Sequence, residues 1–190
     1  MSGKPLSLQH RNIYMKKILP IILLLAVNSA FAQVKHTVTQ SNITFAIKNL
    51  GFMTHGTFGG LQADIKFDPA KPDVSSINAT IDVNTVNTDN DMRDGHLKGD
   101  EFFDAAKYPR ITLKSVSLKH KSGDRYDGQF NLTIKDKTKT VDMPFTYTEA
   151  GNTAEFKGVL KIKRIDFGVG GSSLVMSDNV EVDIDVKTSK

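Results

Sequence analysis

Three aspartates ahead of a glycine, Asp89, Asp91 and Asp94 before Gly95, form the spacing in this 190-residue chain that comes nearest to metal chemistry. A calcium loop needs an oxygen donor at its fifth position and glycine at its sixth, whereas Arg93 stands fifth here and the glycine falls one place late. The frame fails, and the same residues read as a solvated, acid-rich helix start. His36, His55, His96 and His120 lie far apart, form neither HxH nor HExxH, and have no cysteine beside them to complete a zinc site. Gly168-Val169-Gly170-Gly171 is glycine-rich, but Ser173 stands where a dinucleotide fingerprint needs its third glycine, and no βαβ unit surrounds it. No serine sits in a G-x-S-x-G turn. The expectation is a protein that is not an enzyme, with no metal and no cofactor.

The elements around these residues are strands, with one exception. Asp89 to Pro109 is charged at its start and aromatic in its middle, and it divides two groups of strands as a lid or plug would. Asp89 or Asn90 can cap free N–H groups, and Met92 and His96 stand one turn apart on one face. Gly95 and Gly99 keep that helix short. Asp100 can cap a second turn bearing Phe102 and Phe103, and Pro109 returns the chain to an extended path. Two adjacent phenylalanines on so short a turn must bury at least one ring, as a cap on a β core or against a ligand.

Elsewhere apolar residues recur at every second position, the mark of strands with one wet and one buried face. Ile43, Phe45 and Ile47 share a face, as do Leu61, Ala63, Ile65 and Phe67, and then Ile77, Ala79, Ile81 and Val83. After the lid come Ile111 and Leu113, with a change of phase near Ser115 that suggests a bulge. Tyr126, Phe130, Leu132 and Ile134 follow, then Val141 to Tyr147, Phe156 to Ile162, and Val180 to Val186. Polar turns at residues 135–139 and 149–152 make neighbours antiparallel hairpins. About eight strands result, enough for an antiparallel sheet to close on itself around side chains or one small ligand. The small inward residues Ala63, Ala79, Ser115, Gly128 and Gly158 either border a cavity or let opposing walls interdigitate. A membrane-spanning barrel would carry aromatic girdles at both rims, and this chain has four Tyr and no Trp.

The first residues set the compartment. Met15 to Ala32 carries Lys16 and Lys17, the apolar run Ile18 to Val27, and the small-residue site Ala30-Phe31-Ala32. Residues 1–32 are read as a cleaved leader and signal peptide and residues 33–190 as one domain; the start at Met1 or Met15 stays open. The apolar run falls short of the roughly 20 residues that span a bilayer. Of the 25 Lys and Arg, four lie in the leader, Lys4, Arg11, Lys16 and Lys17, leaving 21 against 21 acids. The exported chain is formally neutral, so its charge balance gives no support to nucleic-acid binding, which would want a basic patch in the folded domain.

Several separated motifs now resemble the YceI-like family: Ile47-Lys48-Asn49-Leu50-Gly51-Phe52, Gly56-Thr57-Phe58, Phe67-Asp68-Pro69, Ile81-Asp82-Val83, Arg93-Asp94-Gly95-His96-Leu97, Asp100-Glu101-Phe102-Phe103-Asp104, Lys107-Tyr108-Pro109 and Arg164-Ile165-Asp166-Phe167-Gly168. The resemblance covers Val34 to about Val186. It implies an all-β, eight-stranded, antiparallel, lipocalin-like barrel with a short helical segment at about 89–105. It also implies a periplasmic protein whose interior holds a polyisoprenoid or isoprenoid-quinone type lipid for transport or storage. Such a ligand is compatible with transient membrane contact, and a homodimer stays open. One departure is the hairpin Lys135-Asp136-Lys137-Thr138-Lys139-Thr140, where the family has a turn with glycine and proline and where Asp136 is a residue able to adopt positive φ. Ligand-facing candidates, taken mainly from the inward alternation, are Phe45, Ala79, Ile81, Phe102, Phe103, Leu113, Phe130, Leu132, Phe145, Phe156, Gly158 and Leu160. The alternative is a secreted β-sandwich that serves as an interaction or stress protein without a lipid.

Overall fold

The computed structural model describes residue 3 and residues 34–190. The leader, the cleavage after Ala32 and a start at Gln33 lie outside the described residues. The alternating stretches form strands β1 Lys35–Asn49, β2 Phe52–Phe58, β3 Gln62–Lys66, β4 Ser76–Asp82, β5 Arg110–Ser122, β6 Arg125–Ile134, β7 Lys137–Ala150, β8 Thr153–Lys163 and β9 Met176–Ser189, with helix α1 Asp91–Lys98 between β4 and β5. Every neighbouring pair is antiparallel, and β1 pairs with β9 from Thr37 to Asn49, which closes the sheet into a barrel. A two-sheet sandwich is excluded by that closure.

The nine strands occupy eight places around the ring, because β2 and β3 share one. Ile43 pairs with Phe58 and His36 with Ile65, seven residues further along on each side, so both strands lie against β1 in a single register. Between them, at Gly59-Gly60, the chain leaves the β1 ladder. Gly60 stands at φ 65°, while the N–H of Gly59 donates to Thr85 Oγ1 at 2.8 Å. Residues 37–42 and 59–64 therefore face each other outside the ladder, and β1 bends there at a bulge around Thr39. The bulge expected near Ser115 lies between Ser115 and Ser117, at Val116.

One end of the barrel is packed shut by rings. Phe67 is fully buried among Tyr126, Phe145, Tyr147 and Phe156, with centroids 4.8 to 5.8 Å apart. Buried His36 joins them edge-on, with Nδ1 3.0 Å from Thr188 Oγ1 and Nε2 3.2 Å from the carbonyl of Phe67. Burial pushes the imidazole below its usual pKa. The hairpins at 50–51 and 135–136 mark the opposite end, and α1 lies there.

The hairpin after β6 differs from expectation in detail. Its two-residue turn is Lys135-Asp136, and the residue at positive φ is Lys135, at 56°. That geometry aims the Lys135 ammonium at the carbonyls of Asp100 and Gly168, 3.1 and 3.2 Å away, and ties the hairpin to the lid and to the loop before β9.

Candidate functional site

The lid is held by a clamp on Thr88. Asn90 caps α1, its side chain accepting from the N–H of Arg93 at 2.9 Å. Buried Asp94 accepts from the Thr88 N–H at 3.0 Å and from the Thr88 hydroxyl at 2.5 Å. Arg93 donates from Nε to the same hydroxyl oxygen and from Nη2 to the Thr88 carbonyl, both at 2.7 Å. The acid-rich run is thus only partly solvated: Asp89 and Asp91 are exposed, but Asp94 is a buried anchor. The helix is short, as expected, with Gly95 exposed on it. Gly95 lies inside α1, Gly99 caps its C-terminus, and residues 99–108 then fold back through turns such as Phe103 N–H to Leu97 O at 3.0 Å.

A second anchor is Arg164, a buried guanidinium that sequence reading did not single out. Its Nε donates to Ser177 O at 2.9 Å, and Nη1 donates to Val169 O at 3.0 Å and Gly171 O at 2.8 Å. Its Nη2 lies 3.1 Å from Asp178 Oδ1. These bonds hold residues 168–177 against the lid, where Gly170 donates its N–H to Glu101 O at 2.8 Å. Gly170 has φ 68°, and a β-carbon there would stand 3.0 Å from the Phe102 ring and from Arg164 Nη1, so only glycine fits.

These anchors enclose two adjoining cavities. The inner one, about 170 Å³, presents only apolar atoms and lies in the middle of the barrel, with Phe145 and Phe156 at its floor. The outer one, about 310 Å³, lies under α1 and mixes Phe45, Ile47, Met92 and Leu97 with Asn49, Thr54, Asn90, Arg93 and His96. Phe103, Ile134 and Ile162 line both. Rings of Phe45 and Phe58 lie 5.3 Å apart, and Phe58 meets Phe103 edge-on at 5.6 Å, so Phe103 stands at the step between the cavities. From Phe156 to Arg164 along a tilted strand, the passage spans on the order of 20 Å.

The structure brings all twelve candidates to these walls. Ala79, Ile81, Leu113, Phe130, Leu132, Phe145, Phe156, Gly158 and Leu160 line the inner cavity, Phe45 and Phe102 the outer, and Phe103 both. Phe102 and Phe103 both pack against the core, and both rings also border the outer cavity. Of the five small inward residues, Ala63, Ala79 and Gly158 line the inner cavity. The space at Gly128 is taken by the ring of Phe130, 2.4 Å from where a β-carbon would stand, and Ser115 Oγ accepts the Ile77 N–H at 3.0 Å. Wall residues missed as candidates, such as Ile43, Phe58 and Met143, lie on the same inward faces. Alternation shows which face is inward but not how far along the barrel the space extends.

Comparison with known proteins places the chain. The family model described as YceI-like domain matches residues 35–188. Protein YceI of Salmonella arizonae is 34% identical over 152 residues, covering 76% of this chain and 79% of that protein. Among solved structures, Burkholderia cenocepacia BcnA superposes with a TM-score of 0.75 at 34% identity, over 77% of this chain and 95% of that one. A polyisoprenoid binding domain from Saccharophagus degradans, implicated in plant cell wall breakdown, shares the fold with a TM-score of 0.67 at 20% identity, over 82% of this chain and 97% of its own.

Proposed function

The chain belongs to the YceI-like family, and from that premise we propose that it is a binding protein which holds the tail of a polyisoprenoid or isoprenoid quinone inside its barrel and carries or stores that lipid in the periplasm. The observation that carries this reading is the inner cavity, which offers no polar atom to water. An apolar cavity of this size stays dry and takes up hydrocarbon. The shared fold with a domain described as polyisoprenoid-binding supports an isoprenoid as the ligand class. The two cavities together reach the lower part of the range for small-molecule sites, roughly 300 to 1,000 Å³. Met143 and Phe103 both line the inner cavity, and methionine is the side chain that adapts most readily to a ligand's shape.

The energetics favour exchange over capture. Each buried CH₂ is worth about 0.8 kcal/mol relative to water, so a long tail measured against water would exceed the practical limit of about 18 to 21 kcal/mol for non-covalent binding. The true competitor is a bilayer, in which the tail is already solvated by hydrocarbon. Net transfer between membrane and barrel is then small and reversible, as carriage requires. Export rests on residues 1–32, and fractionation with N-terminal sequencing tests it. The binding itself is tested by mixing delipidated protein with vesicles that contain a long-chain isoprenoid quinone. Protein separated from the vesicles with quinone bound supports the reading, and protein recovered empty opposes it.

A further inference from the structure

The turn between β1 and β2 is Leu50-Gly51, with φ 52° at Leu50 and 84° at Gly51. A two-residue hairpin with both residues at positive φ ordinarily carries Asn-Gly, because a bulky side chain is strained there. Leucine occupies that place here with its side chain turned to solvent, 67% exposed. The strain therefore serves no packing inside the barrel. Beside it Phe52 is 78% exposed, and across a gap in sequence Leu174 is fully exposed. The two loops are joined, since the Leu50 N–H donates to the Val175 carbonyl at 2.9 Å. Exposed Met53 and Val175 complete an apolar tip on two linked loops.

Two further observations fix the setting of this tip. Asn49 and Met176, the neighbours of the tip residues, line the outer cavity, so the tip stands at its rim. Met53 also borders a surface groove lined by Lys48, Lys139, Lys161 and Lys163 against Asp166 and Glu181. Lys161 pairs with Glu181 at 3.0 Å, which leaves the groove an excess of positive charge. We propose that the Leu50 and Leu174 loops form a membrane-docking tip, which sets the mouth of the barrel on a bilayer carrying anionic headgroups. Apolar side chains at a loop tip reach into the boundary between headgroups and acyl chains, and lysines behind them meet the headgroup charge. A second copy is a poorer occupant. A stable protein interface buries about 1,200 to 2,000 Å², more than two loop tips offer, and a two-fold contact there would bring the lysine groove against its own copy.

The proposal deepens the lipid-carrier reading by placing the point of exchange, yet its test needs no lipid in the barrel. Flotation of the full protein with vesicles of phosphatidylethanolamine and phosphatidylglycerol should recover it with the lipid, and added salt should weaken the association. The pair Phe52→Ser and Leu174→Ser should lower the affinity about tenfold or more, whereas Val116→Ser, an exposed apolar change on β5, should leave it unchanged. Leu50→Asn should move two readouts in opposite directions, raising the melting temperature because asparagine tolerates the turn while reducing flotation. Failure of the unaltered protein to float, equal flotation of the paired variant, or a solution dimer dissolved by the same pair would each overturn the docking tip. Protein that floats but never carries an isoprenoid leaves the tip standing and refutes the lipid reading; lipid-loaded protein that does not float does the reverse.

Discussion

The ring of Phe45 lies directly over Gly56, its partner across β1 and β2, so closely that a β-carbon at 56 would stand 2.3 Å from Phe45 Cζ. The same β-carbon would meet Thr88 Cγ2 at 2.8 Å. Gly56 is the slot that holds this ring at the outer cavity beside the threonine on which the lid is clamped. Gly56→Ala should displace both and cost about 1 to 3 kcal/mol, seen in chemical denaturation. Adding Phe45→Leu should recover part of the loss, whereas a neutral Gly56→Ala would show that the ring has room to move.

Ala79 and Gly158 both line the inner cavity, but they should respond differently to a large side chain. Ala79 pairs with Ala63 and Leu113 and borders open space. Ala79→Phe should fill that space, exclude the lipid tail and change the melting temperature little. At Gly158 a β-carbon would meet Met143 Sδ at 3.3 Å and Phe145 Cβ at 3.4 Å; the residue makes the last pair of the β7–β8 ladder, with Phe145, and pairs with Ile184 inside the β8–β9 ladder. Crowding against Met143 and Phe145 makes Gly158→Phe destabilising, by about 1 to 3 kcal/mol. If Ala79→Phe melts much lower and still retains lipid, position 79 does not face the binding channel.

Arg164→Met should remove the donors that hold the carbonyls of Val169, Gly171 and Ser177, at a cost of about 3 kcal/mol or more. The damage should be local first. Hydrogen exchange in residues 168–177 should quicken before the barrel ladders do, and lipid retention should fall as the lid loses its contact through Gly170. An unchanged exchange pattern would mean that the loop is held by something other than this guanidinium.

The barrel was legible because a closed sheet with one buried face writes its period into the sequence, and the run Tyr126 to Ile134 shows this without interruption. The inward positions that line the two cavities were legible for the same reason. What alternation could not show were contacts made by the turns and loops between the alternating strands. Asp94 looked solvated because its partner, Thr88, precedes the helix, and Arg164 was hidden among Lys161 and Lys163 although its partners lie in the next loop. The sharing of one place by β2 and β3 depends on how Gly59 meets Thr85, a relation between segments that each looked ordinary.

His36 gives the fold a dependence on acid. Its folded-state pKa lies below the ordinary value, chiefly through burial and further through Lys190, against the opposing pull of the Phe67 carbonyl and Glu149. The unfolded chain therefore takes up a proton that the folded one refuses. Stability from this group is complete above about pH 6.5 and declines as pH falls from there toward the folded-state value. Melting temperatures taken across that window, above the carboxylate range, should fall with acid. His36→Gln should flatten the slope, and an unchanged slope would assign it elsewhere.

The most direct test of the central claim is solvent extraction and mass spectrometry of the purified, exported protein. The account predicts a long-chain isoprenoid lipid in near-stoichiometric amount, present in the unaltered protein and missing from Ala79→Phe prepared in the same way. Protein that yields no apolar lipid, or an Ala79→Phe variant that yields as much as the original, would contradict it.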